Sequence, residues 1–586
     1  MGAHSKDVAN PPRGSDHLAL DCRGMNFYRI DRSLQELLDI YMDPKMRAHM
    51  EPHLDRLGEL AGGRLDELAS AADKHPPVLH PRDRFGRDED RIEYHPAYRE
   101  MEQIAFGDFG LHAMSHRGGV LGWPDALPPI AKYAFTYLFV QAEFGLMCPV
   151  SVSDTSIFVI KRYGSDELKN KLLPRMLSQD LKSMWKGTQF MTEKSGGSDV
   201  GALETTARNE NGTWRLHGDK WFCSHADADV ALLLARPEGA PSGTRGLALF
   251  ALPRRLENGA RNSYRIVRLK DKLGTKSMAS GEIALEGAFA YLVGDVRNGF
   301  KQMMDQVNLS RLSHGVRAAS MMRRCLNESL QVAHTRKAFG KKLIDMPIVK
   351  KQLLKIMLPT EQASSIYAYT ADVMGRANNG EEGANQILRI LTPLYKFRAC
   401  RDNIRVATGA MEMRGGNGYI EDFVNARLIR DAHVGVLWEG TSNIAALDAI
   451  SRAVGKMRSH EALAGSLKTL VRDSTQIPES FRGRLDRTID KATAFATEVA
   501  SRAENEDWAR VAAGALYNTT SAVLMASEAA RLGNGRRLLL SRMIIDHRLT
   551  AEDPMALADN RWESKAADLL LRNDHVTLAI VAPLIS

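Results

Sequence analysis

At 586 residues the chain is too long for a single hydrophobic core, and its length predicts three or four domains. Its 44% hydrophobic and 26% charged residues are ordinary for a globular protein, and the lack of any run of about 18 apolar residues argues against a membrane-spanning helix. A formal charge of +8 points to an anionic partner without choosing among nucleic acid, anionic lipid and a phosphate-rich ligand, while five scattered cysteines with no CxxC pair exclude a secreted disulfide scaffold and favour a reducing compartment.

The opening MGAHSKDVANPPRGSDH is polar and broken by Pro11, Pro12 and Gly14, so residues 1–24 read as a disordered leader. It has neither the apolar centre of a signal peptide nor the Arg-rich, acid-poor composition of a mitochondrial transit peptide, which predicts a cytoplasmic protein without membrane contact. Over residues 25–185 apolar side chains recur at helical spacing, as in Leu34, Leu37, Leu38 and Tyr41 behind a candidate N-cap at Asp31. After a Pro-containing loop at 75–89, helices are predicted near 97–105, 127–147 and 166–178. Residues 186–298 change to short apolar runs, TWRLHG, VALLLA and GLALFAL, between Gly, Asn, Asp and Pro turns, which predicts a compact antiparallel barrel or sandwich. Residues 299–457 return to long helices at 300–335, 348–377, 386–413 and 444–457, a four-helix bundle, and residues 458–586 add an Ala-rich helical extension. The fold class is therefore mainly α, with an inserted β domain and a C-terminal helical extension.

Five segments carry chemistry. The loop MTEKSGGSD (191–199) sets Met191, Thr192 and Ser198 on a Gly-permissive turn that a flat or phosphate-bearing ligand can approach; alone it reads equally as a solvated hairpin. WFCS (221–224) offers Phe222 and Ser224, with Cys223 between them reading as a packed side chain because no His and acid accompany it locally. In HTRKAFGKK (334–342), Arg336 and Phe339 combine a guanidinium fork with an aromatic ring at a helix end, although a cationic cap on the helix dipole would look the same. RGGNGYIED (414–422) provides Gly415 and Gly416, where backbone can approach a diphosphate. RDAHVGVLWEGTSN (430–443) sets Glu439 between bulky Trp438 and the tight turn of Gly440, Thr441 and Ser442, with Asn443 behind; a lone Glu before such a turn would mean little.

Together and in this order, these segments resemble the acyl-CoA dehydrogenase superfamily of flavoproteins, over residues 25–453. The resemblance implies an acyl-CoA dehydrogenase-like architecture of helical, β-barrel and helical-bundle parts that binds FAD and an acyl-CoA. Glu439 would remove the α-proton of the thioester, and the β-hydride would pass to flavin N5, giving trans-2-enoyl-CoA. A raised carboxylate pKa and donors to the thioester oxygen suit that chemistry. By the same resemblance Met191, Thr192, Phe222 and Ser224 meet the flavin, although Lys194 stands where the family has proline. Arg336 and Phe339 hold FAD of the neighbouring subunit, Gly415 and Gly416 approach its pyrophosphate, and Thr441 and Asn443 contact FAD from the base's own turn. Ser198 and Trp438 fall on the substrate side, and Arg311 is a structural or CoA-side residue. If Arg336 and Gly415 serve one FAD from two subunits, the protein is at least a dimer, and the family suggests a dimer of dimers. An electron-transfer flavoprotein or another acceptor would reoxidise it.

YHPAY (94–98), MCP (147–149), LKDKLGTKSMASGEI (269–283) and the extension itself are similar to the AidB-like branch, for which the resemblance implies an alternative role: a DNA-binding flavoprotein of the alkylation-damage response with weak or no turnover. The extension from Gly455 on holds about 18 Lys and Arg against about 17 Asp and Glu, so it is not a basic domain. Arg531, Arg536, Arg537, Arg542 and Arg548 nevertheless cluster in sequence, as a DNA-binding patch or as a solvated helix face. No metal site is expected.

Overall fold

The computed structural model describes residues 18–551, 555, 561–572 and 575–585; up to residue 17 the leader expected at 1–24 lies outside the described residues. Asp31 accepts a hydrogen bond from Leu34 N at 3.0 Å and opens α1 (Arg32–Tyr41) where the N-cap is predicted. After α2 (Pro44–Gly62) and α3 (Arg64–Lys74) comes a hairpin, β1 (Val78–Arg82) and β2 (Asp88–Glu93), in the stretch that reads as a loop. Most of its side chains are exposed or only partly covered, so it carries no apolar alternation to read.

Next come α4 (Pro96–Glu102), α5 (Pro129–Val140), α6 (Met147–Tyr163) and α7 (Asp166–Met176). The single helix predicted over 127–147 breaks between α5 and α6. There the Glu143 carboxylate accepts from Leu146 N (2.9 Å) and Ser277 Oγ (2.7 Å), and a Cβ on Gly145 would lie 2.3 Å from Ser277 Oγ.

The β region consists of β3 (Gly187–Phe190), β4 (Thr206–Glu210), β5 (Thr213–Ser224), β6 (Val230–Pro237), β7 (Ala248–Pro253), β8 (Tyr264–Leu269) and β9 (Ser280–Val293). Pairing runs β6–β4–β5–β9–β7 and returns to β6, closing a barrel that leaves β3 beside β6 and β8 beside β9. It is not wholly antiparallel: β3 and β4 both run parallel to β6. β3 is entered from the α7 side rather than through a hairpin, and the long path from β3 to β6 permits the parallel pairing that a tight turn forbids.

The helical half is built on α8 (Gly299–Thr335), α9 (Pro347–Asn378) and α10 (Ala384–Arg414), which pack on one another. Between α8 and α9 lies a two-residue hairpin, β10 (Lys337–Ala338) and β11 (Lys341–Lys342), and α10 is followed by α11 (Asn425–Ala432) and α12 (Ser442–Leu447). α6 is wedged between β3 and α8. Its Ser153 hydroxyl donates to Gly187 O (3.2 Å) and accepts from Gly187 N (3.0 Å), and Ser151 bonds Ser313 of α8 at 3.0 Å. The extension comprises α13 (Ser459–Asp473), α14 (Glu479–Ser501), α15 (Ala509–Leu532) and α16 (Gly535–Ile544), and α15 lies along α9 and α10. Gln362 of α9 donates to Asn518 and Ser521 of α15 at 3.0 and 2.8 Å, so the contact is polar as well as apolar. Among the described residues, no helix is long and apolar enough to cross a membrane.

α8 and α10 approach closely at Gly315, where an added Cβ would stand 2.3 Å from the buried ring of Tyr395. Gly315→Ala is expected to cost about 1–3 kcal/mol of unfolding free energy in a urea titration, as overpacking does. Gly465→Ala on α13, where a Cβ meets nothing within 4 Å, is expected to be neutral or to stabilise by about 0.5–1 kcal/mol through helix propensity.

Candidate active site

Glu439 stands in the tight turn before α12 with φ of +55°, a left-handed conformation that costs a non-glycine residue about 1–2 kcal/mol. Neighbouring elements hold it there. Arg311 of α8 donates to the Glu439 carbonyl at 3.0 Å while its guanidinium also bonds Asp448 at 2.9 Å, and Lys396 of α10 donates to the Gly440 carbonyl. The side chain is then aimed by two further donors: Gln189 of β3 and Ser310 of α8 both reach Glu439 Oε1, at 2.5 and 2.9 Å. Barrel, bundle and turn thus converge on one carboxylate, and the wedge of α6 sets the distance between the first two.

Burial pushes the Glu439 carboxyl above the ordinary glutamate value; the Ser310 hydrogen bond and the charges of Arg311, Arg317 and Lys396 pull it back only in part. One wall of the recess is apolar. Trp438 packs on the cluster of Cys148, Val152 and Met278, stacks with Phe144 and meets the His314 ring edge-on. His314 is neutral, its pKa driven down by burial, and burial pushes the Cys148 thiol up, so neither competes with Glu439 for protons near neutrality. A carboxylate raised in pKa, fixed in direction and set against an apolar wall is equipped to accept a proton from carbon.

The segments picked out in sequence fall into groups. Trp221 N donates to the Thr192 carbonyl at 2.8 Å, so the loop carrying Met191 and Thr192 lies beside the strand carrying Phe222 and Ser224. The Ser224 carbonyl accepts from Thr188 Oγ1 at 2.6 Å, one residue from Gln189, which ties this strand end to the carboxylate's surroundings. The loop is anchored by the buried Glu193–Lys220 pair at 2.6 Å and by Lys194 with Asp219 at 2.8 Å, and Ser198 remains exposed. Thr441 and Asn443 open α12, and Asn443 Oδ1 accepts from Arg510 at 3.4 Å.

Arg336, Phe339, Gly415 and Gly416 make a second group. A Cβ on Gly415, whose φ is +72°, would lie 3.3 Å from the Arg336 guanidinium. Arg336 and Gly415 therefore stand side by side in one chain. Phe339 is 97% exposed on a left-handed turn, with Ile348 and Tyr419 each 80% exposed.

Two expectations change. Arg311 is buried, and its guanidinium is engaged by the Glu439 carbonyl and Asp448, so it positions the turn rather than facing a substrate. The arginines of the extension form no single face. Arg537 is buried against Glu528 (2.8 Å), Arg536 donates to the carbonyls of Leu569, Leu570 and Arg572, and Arg531 to that of Ile40. Arg542 lies over the Trp562 ring, leaving Arg548 apart from the others. Of these, Arg537 is the buried one, and leaving it there without Glu528 would cost several kcal/mol, on the order of 3–5.

Gln189 and Ser310 escape a reading of the sequence. Strand alternation does put Gln189 on the same side as Met191, and Ser310 precedes Arg311, but neither neighbour implies a shared carboxylate 250 and 129 residues away, respectively.

Three family models match in succession: the Adaptive response protein AidB N-terminal domain over residues 19–182, the acyl-CoA dehydrogenase middle domain over 188–288, and the acyl-CoA dehydrogenase C-terminal domain over 297–455. Acyl-CoA dehydrogenase family member 11 of Caenorhabditis elegans is 30% identical over 92% of this chain and 88% of its own length. The putative acyl-CoA dehydrogenase AidB of Escherichia coli is 31% identical over 66% of this chain and 70% of its own. The crystal structure of the C. elegans protein ACDH-11 in complex with C11-CoA superposes with a TM-score of 0.84 at 25% identity, covering 97% of this chain and 98% of that one. With its barrel between helical parts, its AidB-type N-terminal region and relatives that match along nearly its whole length, the chain belongs to the acyl-CoA dehydrogenase family.

Proposed function

We propose that the protein is an FAD-dependent acyl-CoA dehydrogenase in which Glu439 removes the α-proton of an acyl-CoA thioester. The observation that carries this reading is the Glu439 carboxylate itself, strained into position and aimed by Gln189 and Ser310 from separate elements. Relatives sharing the fold are named acyl-CoA dehydrogenases, and one was solved with C11-CoA.

The residues present fit the cofactor. Gly416 has open space where a Cβ would stand, Gly415 leaves the Arg336 guanidinium uncovered, and the exposed Phe339 and Phe222 rings are free to cover a flat group. Arg336, Phe339, Gly415 and Gly416 would hold it from one subunit, and Met191, Thr192, Phe222, Ser224, Thr441 and Asn443 from the other. FAD supplies the acceptor for the β-hydride, so that the thioester leaves as trans-2-enoyl-CoA. Glu439 takes the α-proton onto its carboxylate. Trp438 and the Cys148, Val152 and Met278 side chains line the acyl chain's path and keep water from the carboxylate, and Ser198 lies where the coenzyme A portion would run. An electron-transfer flavoprotein is the proposed reoxidant. The exposed apolar Phe339, Ile348 and Tyr419 suit burial by a second subunit, within a dimer of dimers.

Anaerobic titration of the flavin-loaded protein with straight and branched acyl-CoAs is expected to bleach the visible flavin band, and Glu439→Gln to slow that bleaching by about a thousandfold, the scale of a lost general base. Retained bleaching in the variant would remove Glu439 as the base.

Because the base works only when ionised and its pKa is raised, kcat/KM is expected to fall as pH drops, on a limb lying above the ordinary glutamate range. The Ser310 hydroxyl stabilises the charged form, so Ser310→Ala is expected to shift that limb to still higher pH; an unmoved limb would mean that another group titrates.

Phe339→Asp keeps a side chain that tolerates the left-handed backbone. It is expected to lower the mass seen by light scattering and to release flavin together.

A further inference from the structure

We propose that the cleft between α10, α14 and α15 binds a nucleoside di- or triphosphate, at a site that adjoins the turn of Glu439 through the Arg510–Asn443 hydrogen bond. It has a volume of about 660 Å³ and is lined by eight Lys and Arg side chains, with no Asp or Glu lining it among the described residues.

The charges are arranged in two rows. Arg398, Arg401 and Arg405 stand at i, i+3 and i+7 on α10, and Arg484, Arg487 and Lys491 repeat the same spacing on α14, so each helix turns one cationic stripe toward the cleft. Each stripe is about 10 Å long, the reach of a chain of phosphates rather than of one carboxylate. Arg510 and Arg548 close the ends. Two of these cations are matched: Arg398 by Asp402 at 2.9 Å and Arg484 by Asp546. Arg401, Arg405, Arg487, Lys491 and Arg548 have no ion pair among the described residues. They also crowd one another: burial and the neighbouring arginines depress Arg401, and burial, Arg398 and Arg405 depress Arg548.

Like charges that outnumber the acids beside them, here Asp402 and Asp546, lower the stability of the protein alone and are relieved by an anion, for which guanidinium forks offer paired donors. A second, independent sign is the Thr519 hydroxyl, which lines the cleft, is buried and has no hydrogen-bond partner among the described residues. Phe495, Val511 and Leu549 add an apolar side that suits an organic ring and would be idle beside inorganic phosphate. The volume lies within the roughly 300–1,000 Å³ of small-ligand pockets. A concave site of that size favours a nucleotide over duplex DNA, which is gripped across roughly 1,000–2,500 Å² of protein surface.

The test is calorimetric titration of flavin-loaded protein with ADP and with ATP at low salt, beside the double variant Arg405→Ala, Arg487→Ala. Both positions are exposed, and bleaching by acyl-CoA, measured on the same samples, checks the fold and reports separately on the dehydrogenase reading. Saturable binding that weakens tenfold or more in the double variant is the expected result. Absence of binding up to about 1 mM nucleotide, or binding that the double variant leaves unchanged, would overturn the proposal. Duplex DNA held through the same two arginines, with ATP failing to displace it, would overturn it in favour of a nucleic-acid surface.

Discussion

α8 carries a series of buried guanidiniums along its inward face, and among the described residues all of them but Arg317 are matched by carboxylates where they lie. Arg311 is matched by Asp448 beside the Glu439 turn, Arg323 by Asp31 and Glu361, and Arg324 by Asp66 and Glu328. Asp31 also caps α1, Asp66 also receives Arg427 of α11, and Glu328 also receives Arg414 at the end of α10. Sliding α8 by one turn would strand every one of these ions at once. Such pairs add little net stability over apolar packing, but breaking one is expensive, so they select a single register. That register puts Ser310 and Arg311 level with Glu439.

Around Glu439 two electrostatic demands oppose each other. A base for a weakly acidic C–H needs a raised pKa, which burial provides. A carboxylate buried with no cation nearby would stay protonated and be useless as a base. Arg311, Arg317 and Lys396 lie close enough to moderate the shift, yet none forms an ion pair with the carboxylate. Arg311 and Lys396 donate to backbone carbonyls of the turn instead. They steady its strained conformation and lend positive potential without quenching the reactive oxygen.

Much of this was legible in the sequence where elements are long or their chemistry is local. α8, α9 and α10 match the predicted helices to within a few residues, and Asp31 was readable as a cap because its chemistry is local. The start of α6 was not, because the break that separates it from α5 depends on Glu143 meeting Leu146 N and the distant Ser277. The parallel pairing of β3 and β4 with β6 depends on how the chain returns from a distance, which alternation does not encode. At the site, Glu439 was readable from its turn, whereas Gln189 and Ser310 depend on three elements meeting. The five arginines of the extension looked alike as letters; only packing separates Arg537, deep against Glu528, from Arg548 on the cleft.

The wedge α6 holds its place through serines on opposite sides, Ser153 toward the barrel and Ser151 toward α8. Buried without a break from Met147 to Ile157, its amides there can exchange their hydrogens with solvent only through an opening that separates the barrel from the bundle. The spacing that lets Gln189 and Ser310 share one carboxylate therefore belongs to the last part of the molecule to come apart. Thermal breathing at the periphery, in the hairpin of β1 and β2 or along the extension, leaves the base aligned.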